Sequence, residues 1–162
     1  MDARSPALPK RAARGGFSLV EVLIAVTIAG LLAAVALPTF LDSMRKGRRS
    51  EAFAALAQVQ QAQERWRANH PGYAESVSNA ANGSPPGLGL SATTTPAGYY
   101  TLALSDVSAT AYTATATAAG SQANDNACAK LVVKIDGGSL TNSSFDGSGT
   151  EDTTNASRCW TR

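Results

Sequence analysis

Hydrophobic and polar positions fall into three successive regimes along the chain. From Phe17 to Leu41 the run FSLVEVLIAVTIAGLLAAVALPTFL holds 25 residues, with Glu21 as its one ionisable group. About 20 apolar residues in a helix cross the hydrocarbon layer, so the run is long enough to span it. Gly30 and Pro38 are its weak points. Proline removes an i→i−4 hydrogen bond, so a kink or local melting is expected near Pro38. Residues 51–68, EAFAALAQVQQAQERWRA, then place Ala52, Ala55, Val59, Ala62 and Trp66 at alternating spacings of three and four, with Phe53 and Leu56 alongside. This is an amphipathic stripe for packing on a sheet, with Trp66 expected in the core. A helix from Phe17 to about Asn69 would have a globular partner for its second half only. Its first half is then a membrane anchor or an oligomerisation surface.

From His70 to Gly98 the pattern dissolves into Gly, Pro, Ser and Asn, which reads as a long connecting loop. Alternation returns in YYTLALSDV (99–107) and AYTATATA (111–118), a hairpin signature. AKLVVKID (129–136) supplies a third strand ended by the turn Asp136-Gly137-Gly138, and SLTN starts a fourth. Three or four antiparallel strands covering one amphipathic helix make an α+β head.

Charge sharpens this division. Residues 1–16 carry Arg4, Lys10, Arg11 and Arg14 against Asp2, so a net of +3 precedes the apolar run, whereas the whole chain carries +2. Residues 51–162 hold six Lys/Arg against nine Asp/Glu, which disfavours a nucleic-acid-binding head. The cluster RKGRR, Arg45 to Arg49, follows the run at once and reads as a lipid-headgroup and intersubunit contact; a DNA-binding role would need it exposed. A cleaved secretory signal would place its small-residue site after a short apolar region, but here Gly15-Gly16 lies before it.

Cys128 and Cys159, the two cysteines, lie in a polar downstream region, as expected for a disulfide in an oxidising compartment; two unrelated free thiols are the alternative. A bridge would support the polar segment GSLTNSSFDGSGTEDTTNASR, which has few apolar anchors. DGSGTED (146–152) raises the question of calcium but lacks EF-hand spacing. Asn82, Asn142 and Asn155 begin short glycosylation patterns. His70, the single histidine, has no second ligand at metal spacing, and no nucleophile elbow, phosphate loop or zinc motif is present. The reading is therefore no enzyme, no metal and no cofactor.

A basic leader ending in Gly16, then Phe17, then Glu21 within FSLVEVLIAVTIAGLLAAVALP, with Pro38 near its end, resembles the class III signal sequence of the type IV pilin and pseudopilin superfamily. The downstream helix, strand-rich half and Cys pair closing in CWTR resemble type IV pilins more loosely. The resemblance implies a pilin fold: a long N-terminal α-helix whose second half packs on a 3–4-stranded antiparallel sheet, with a disulfide-bounded C-terminal loop. It implies a leader at 1–16, a transmembrane or filament-core helix at 17–41, an amphipathic helix at 42–69, a loop at 70–98, a sheet at 99–142 and a disulfide-bounded region at 128–159.

Prepilin peptidase would cut between Gly16 and Phe17, with N-methylation of Phe17. Glu21 and Pro38 would serve assembly, Glu21 by pairing with a subunit's new α-amino group. The implied role is structural subunit of a type IV pilus, supporting assembly, twitching motility, adhesion or DNA uptake. Size and the C-terminal Cys-Trp pair look most like a PilE-type minor pilin, with a major pilin beside it. Implied partners are other pilin subunits, prepilin peptidase, the pilus assembly platform and the inner membrane, with no nucleic acid required. The chain would be stored in the inner membrane with its head in the periplasm, then move to an extracellular pilus. The alternatives are a type II secretion pseudopilin and a non-polymerising, membrane-anchored extracytoplasmic binding domain.

Overall fold

The computed structural model describes residues 16–153 and 159–160. Helix α1 runs Leu19–Arg67 and passes through Pro38 without interruption, so the local melting expected there is not seen. The carbonyl of Ser18 accepts the amide of Val22, which makes Ser18 the residue capping the helix start. The helix is shared by two compact units that divide between Phe40 and Leu41. Among the described residues of the first unit every apolar side chain is exposed, from Phe17 and Leu19 to Leu37 and Phe40. This stretch is long and apolar enough to cross a membrane.

The second unit is the head. Five strands follow α1: β1 Tyr100–Ser105, β2 Ala111–Ala118, β3 Lys130–Asp136, β4 Ser139–Phe145 and β5 Glu151–Asp152. They pair antiparallel in sequential order, one strand more than the pattern predicts. Strand β4 extends to Phe145, and the two-residue β5 pairs with its end. The Asp136–Ser139 pair closes a two-residue turn whose Gly137 and Gly138 both have positive φ, the geometry that favours glycine.

One sheet face carries Tyr100, Leu102, Tyr112, Ala114, Ala116, Leu131, Val133 and Ile135, and these pack on Ala52, Ala55, Leu56 and Val59 of α1. The small helix residues let the sheet approach closely; the large side chains come from the strands. Gln63 extends the buried stripe and exchanges two hydrogen bonds of 2.9 Å with the backbone of Ala74, pinning the start of the connecting loop. Trp66 departs from expectation. It is half-buried and stacks on the exposed His70 with ring centroids 3.8 Å apart, because the stripe turns away from the sheet after Gln63. Within the loop, Gly87 lies so close to Asn79 that an added Cβ would meet the Asn79 carbonyl oxygen at 2.5 Å.

Candidate functional site

The residues singled out in the N-terminal segment sit in the open. Gly16 and Phe17 precede the helix, and Phe17 is 81% exposed. Glu21 lies in the first turn of α1, where a carboxylate is favoured by the unpaired N–H groups of the helix end. Phe17 and Glu21 share a shallow, largely apolar depression with Val22, Ala25, Val26 and Ala29. A bare apolar helix with one carboxylate at its start suits contact with lipid or with other such helices, and offers nothing for chemistry on a small substrate.

The basic cluster is divided by the fold. Arg49 is buried and grips Asp125 through Nε and Nη2 at 2.7 and 2.8 Å. Gln122, fully buried in a short 3₁₀ turn at Gly120–Asn124, shares the two N–H groups of its side-chain amide among Asp125, the Tyr100 hydroxyl and the Arg45 carbonyl. Burial pushes the Tyr100 phenol up to about 12, against the lowering effect of that Gln122 hydrogen bond. Arg48 lies over the Tyr99 ring and donates to Ser121. Arg45 pairs with Asp42 at 2.9 Å. Lys46 is exposed and has no ion pair among the described residues. Half of the cluster is thus head structure, which the sequence reading missed. The available signal was spacing: Arg49, Ala52, Leu56 and Val59 continue one face of the helix.

Beside the Arg49–Asp125 pair, Cys128, whose amide donates to the Asp125 carbonyl, forms the expected disulfide with Cys159, with Cα atoms 5.8 Å apart. The bridge brings Trp160 back onto the head, where it stacks on Phe53 and donates to the Ser143 carbonyl. Asp146 accepts from the Ser148 hydroxyl and from the amides of Ser148 and Thr150. The Ser148 hydroxyl, followed by the Thr150 amide, holds its pKa below the usual carboxylate range. Its role is to shape the loop, and among the described residues no three His, Cys, Asp or Glu side chains group as a metal site. The sequon at Asn155 lies outside the described residues.

The sheet face turned away from α1 presents Thr113, Thr115, Lys130, Lys134, Thr141 and Phe145 around a hollow of about 420 Å³, with Asp106 and Glu151 at its margin. Lys130 stands 5.9 Å from the Phe145 ring centroid, and Lys134 pairs with Asp136 at 3.4 Å.

A helix with an exposed apolar half, a sequential antiparallel sheet packed on its other half and a disulfide closing the C-terminus are the elements of a pilin. The family described as type IV minor pilin ComP, DNA uptake sequence receptor, matches residues 38–132. The chain belongs to that family. The prokaryotic N-terminal methylation motif matches residues 11–37. Among curated proteins, the chain is 37% identical over 71 residues to the type IV major pilin protein PilE1 of Neisseria gonorrhoeae, covering 44% of this chain and 43% of that one. It is 35% identical over 71 residues to a fimbrial protein of Moraxella nonliquefaciens, covering 44% and 46%. It is 47% identical over 38 residues to fimbrial protein EcpC of Eikenella corrodens, covering 24% and 25%. The matched region thus spans less than half the length of these relatives. Membership of a pilin family supports the expected role of a structural, non-enzymatic subunit. Its apolar helix and methylation motif fit membrane anchoring followed by pilus assembly.

Proposed function

We propose that this chain is a minor subunit of a type IV pilus that serves DNA uptake. The observation that carries the reading is the family match over residues 38–132, whose description names a minor pilin and a DNA uptake sequence receptor. In this reading prepilin peptidase cuts between Gly16 and Phe17, Phe17 is N-methylated, and Glu21 pairs with the new α-amino group of a neighbouring subunit. The apolar helix waits in the inner membrane with the head in the periplasm and then enters the filament through the assembly platform.

Charge limits how DNA is held. The acidic balance of residues 51–162 disfavours a nucleic-acid-binding head and underlies the expectation that no nucleic acid is required; the family description argues for revising it. The outer sheet face supplies Lys130, Lys134 and the Phe145 ring, set against Asp106 and Glu151. Two phosphate contacts give a log–log salt slope of about −1.8 and weak binding per subunit. Uptake then depends on several subunits acting together.

The test is a strain lacking this chain, complemented with the wild type or with Lys130→Ala/Lys134→Ala. Piliation that persists with DNA uptake lost, restored by the wild type and reduced in the double variant, is the expected result. Unchanged uptake refutes the DNA role. Loss of all pili favours the second reading, a major pilin, which the similarity to PilE1 supports.

A further inference from the structure

At the base of the head, Arg45, Lys46 and Arg49 of α1 face Asn124, Asp125 and Asn126 across a cavity of about 480 Å³. Its charges reduce to one. Asp42 neutralises Arg45, and Asp125 neutralises Arg49, with two of that guanidinium's nitrogens committed to it. Lys46 remains uncompensated among the described residues, and the Asn124 and Asn126 side chains are exposed and carry amide N–H donors. The cavity therefore suits a singly charged anion able to accept several hydrogen bonds.

Its position along the helix says which anion. Lys46 lies five residues beyond Leu41, the last residue of the apolar run, or about 7.5 Å along the axis. Each headgroup layer is about 5–7 Å thick, so with Leu41 at the hydrocarbon boundary Arg45 lies within it and Lys46 at its outer edge, from which a lysine stem reaches back to the phosphates.

We propose that this cavity holds the phosphodiester of an anionic phospholipid headgroup while the subunit is stored in the membrane. Lys46 supplies the charge, and Arg45, Asn124 and Asn126 supply donors to the non-bridging oxygens. The phosphodiester carries the single negative charge that the cavity lacks, and in an anionic lipid, unlike phosphatidylcholine, no headgroup ammonium competes with Lys46 for it. The inference rests on the membrane-storage step of the proposed function, and its test separates the two.

The full chain beginning at Phe17 is placed in nanodiscs of phosphatidylcholine, and then of phosphatidylcholine doped with phosphatidylglycerol. Stable insertion into both checks membrane storage; failure to insert overturns that reading. With insertion established, phosphatidylglycerol should shift the side-chain amide NMR signals of Asn124 and Asn126. Lys46→Gln should weaken the response about fivefold, as about 1 kcal/mol per basic residue implies. Absence of shifts at the two asparagines, even with Lys46-dependent attraction to the disc surface, overturns the proposal. So do equal shifts from inorganic phosphate in phosphatidylcholine discs, which mean a free-anion site. Shifts that depend on protein concentration in lipid-free detergent also overturn it, because they mark a contact between copies.

Discussion

Replacing Arg49 by methionine removes the guanidinium from the head while keeping most of the side chain's apolar stem. The side chains of Arg49 and Asp125 are 7% and 4% exposed, and their two hydrogen bonds measure 2.7 and 2.8 Å. Breaking a buried pair by removing one partner costs about 3–5 kcal/mol, because the remaining charge stays desolvated. Asp125 would keep one donor, Gln122 Nε2 at 3.0 Å, which places Arg49→Met toward about 3 kcal/mol. That is a large share of the total stability of an ordinary domain. The double variant Arg49→Met/Asp125→Leu removes both charges and should recover at least half of the loss. Urea unfolding of the full chain in mild detergent, followed by tryptophan fluorescence, measures both. A single variant within about 1 kcal/mol of wild type, or a double variant no more stable than the single, would refute the account of this pair.

Three further outcomes are expected. Cys159→Ser opens a bridge between residues 31 apart, which should lower stability by about 3–4 kcal/mol and free Trp160 from Phe53; unchanged protease resistance would count against this. Tyr100 and Tyr112 are both raised by burial to about 12 from an ordinary value of 10.0, so an ultraviolet titration should show two phenols ionising late. Their folded state favours the neutral phenol, so that contribution is whole below pH 10 and is lost as pH rises through about 12; stability rising across that window would contradict it. Glu21→Ala should leave cleavage before Phe17 intact but impair filament assembly or Phe17 methylation, and normal filament yield with full methylation in that strain would remove the pairing role.

Most of the fold is legible because two periodicities carry it. The spacing of Ala52, Ala55 and Val59 marks the helix face, and the alternation in AYTATATA and the β-branched apolar run in KLVVKID mark the strands. What the periodicity misses depends on where the sheet stops. Trp66 continues the helical spacing but lies past the last buried turn, so it stacks on His70 four residues on. Arg49 obeys the same spacing and is buried, because Asp125, 76 positions away, meets it. A charge in a run of five looks like surface, and only the tertiary partner reveals otherwise. Strand β5 is two residues long, too short for any alternation to register. The N-terminal site is the reverse case: Gly16, Phe17 and Glu21 are legible as a motif, while a single chain contains no neighbouring subunit for Glu21 to meet.

The central claim is that this chain is cut, methylated and built into a filament. Mass spectrometry of the sheared surface-filament fraction, beside the inner-membrane fraction, tests it most directly. The account predicts a chain beginning with N-methylated Phe17 in the sheared filaments, at a low ratio to the other pilins. A processed chain confined to the envelope would contradict polymerisation into the pilus, and a chain uncut at Gly16 would leave only a membrane anchor.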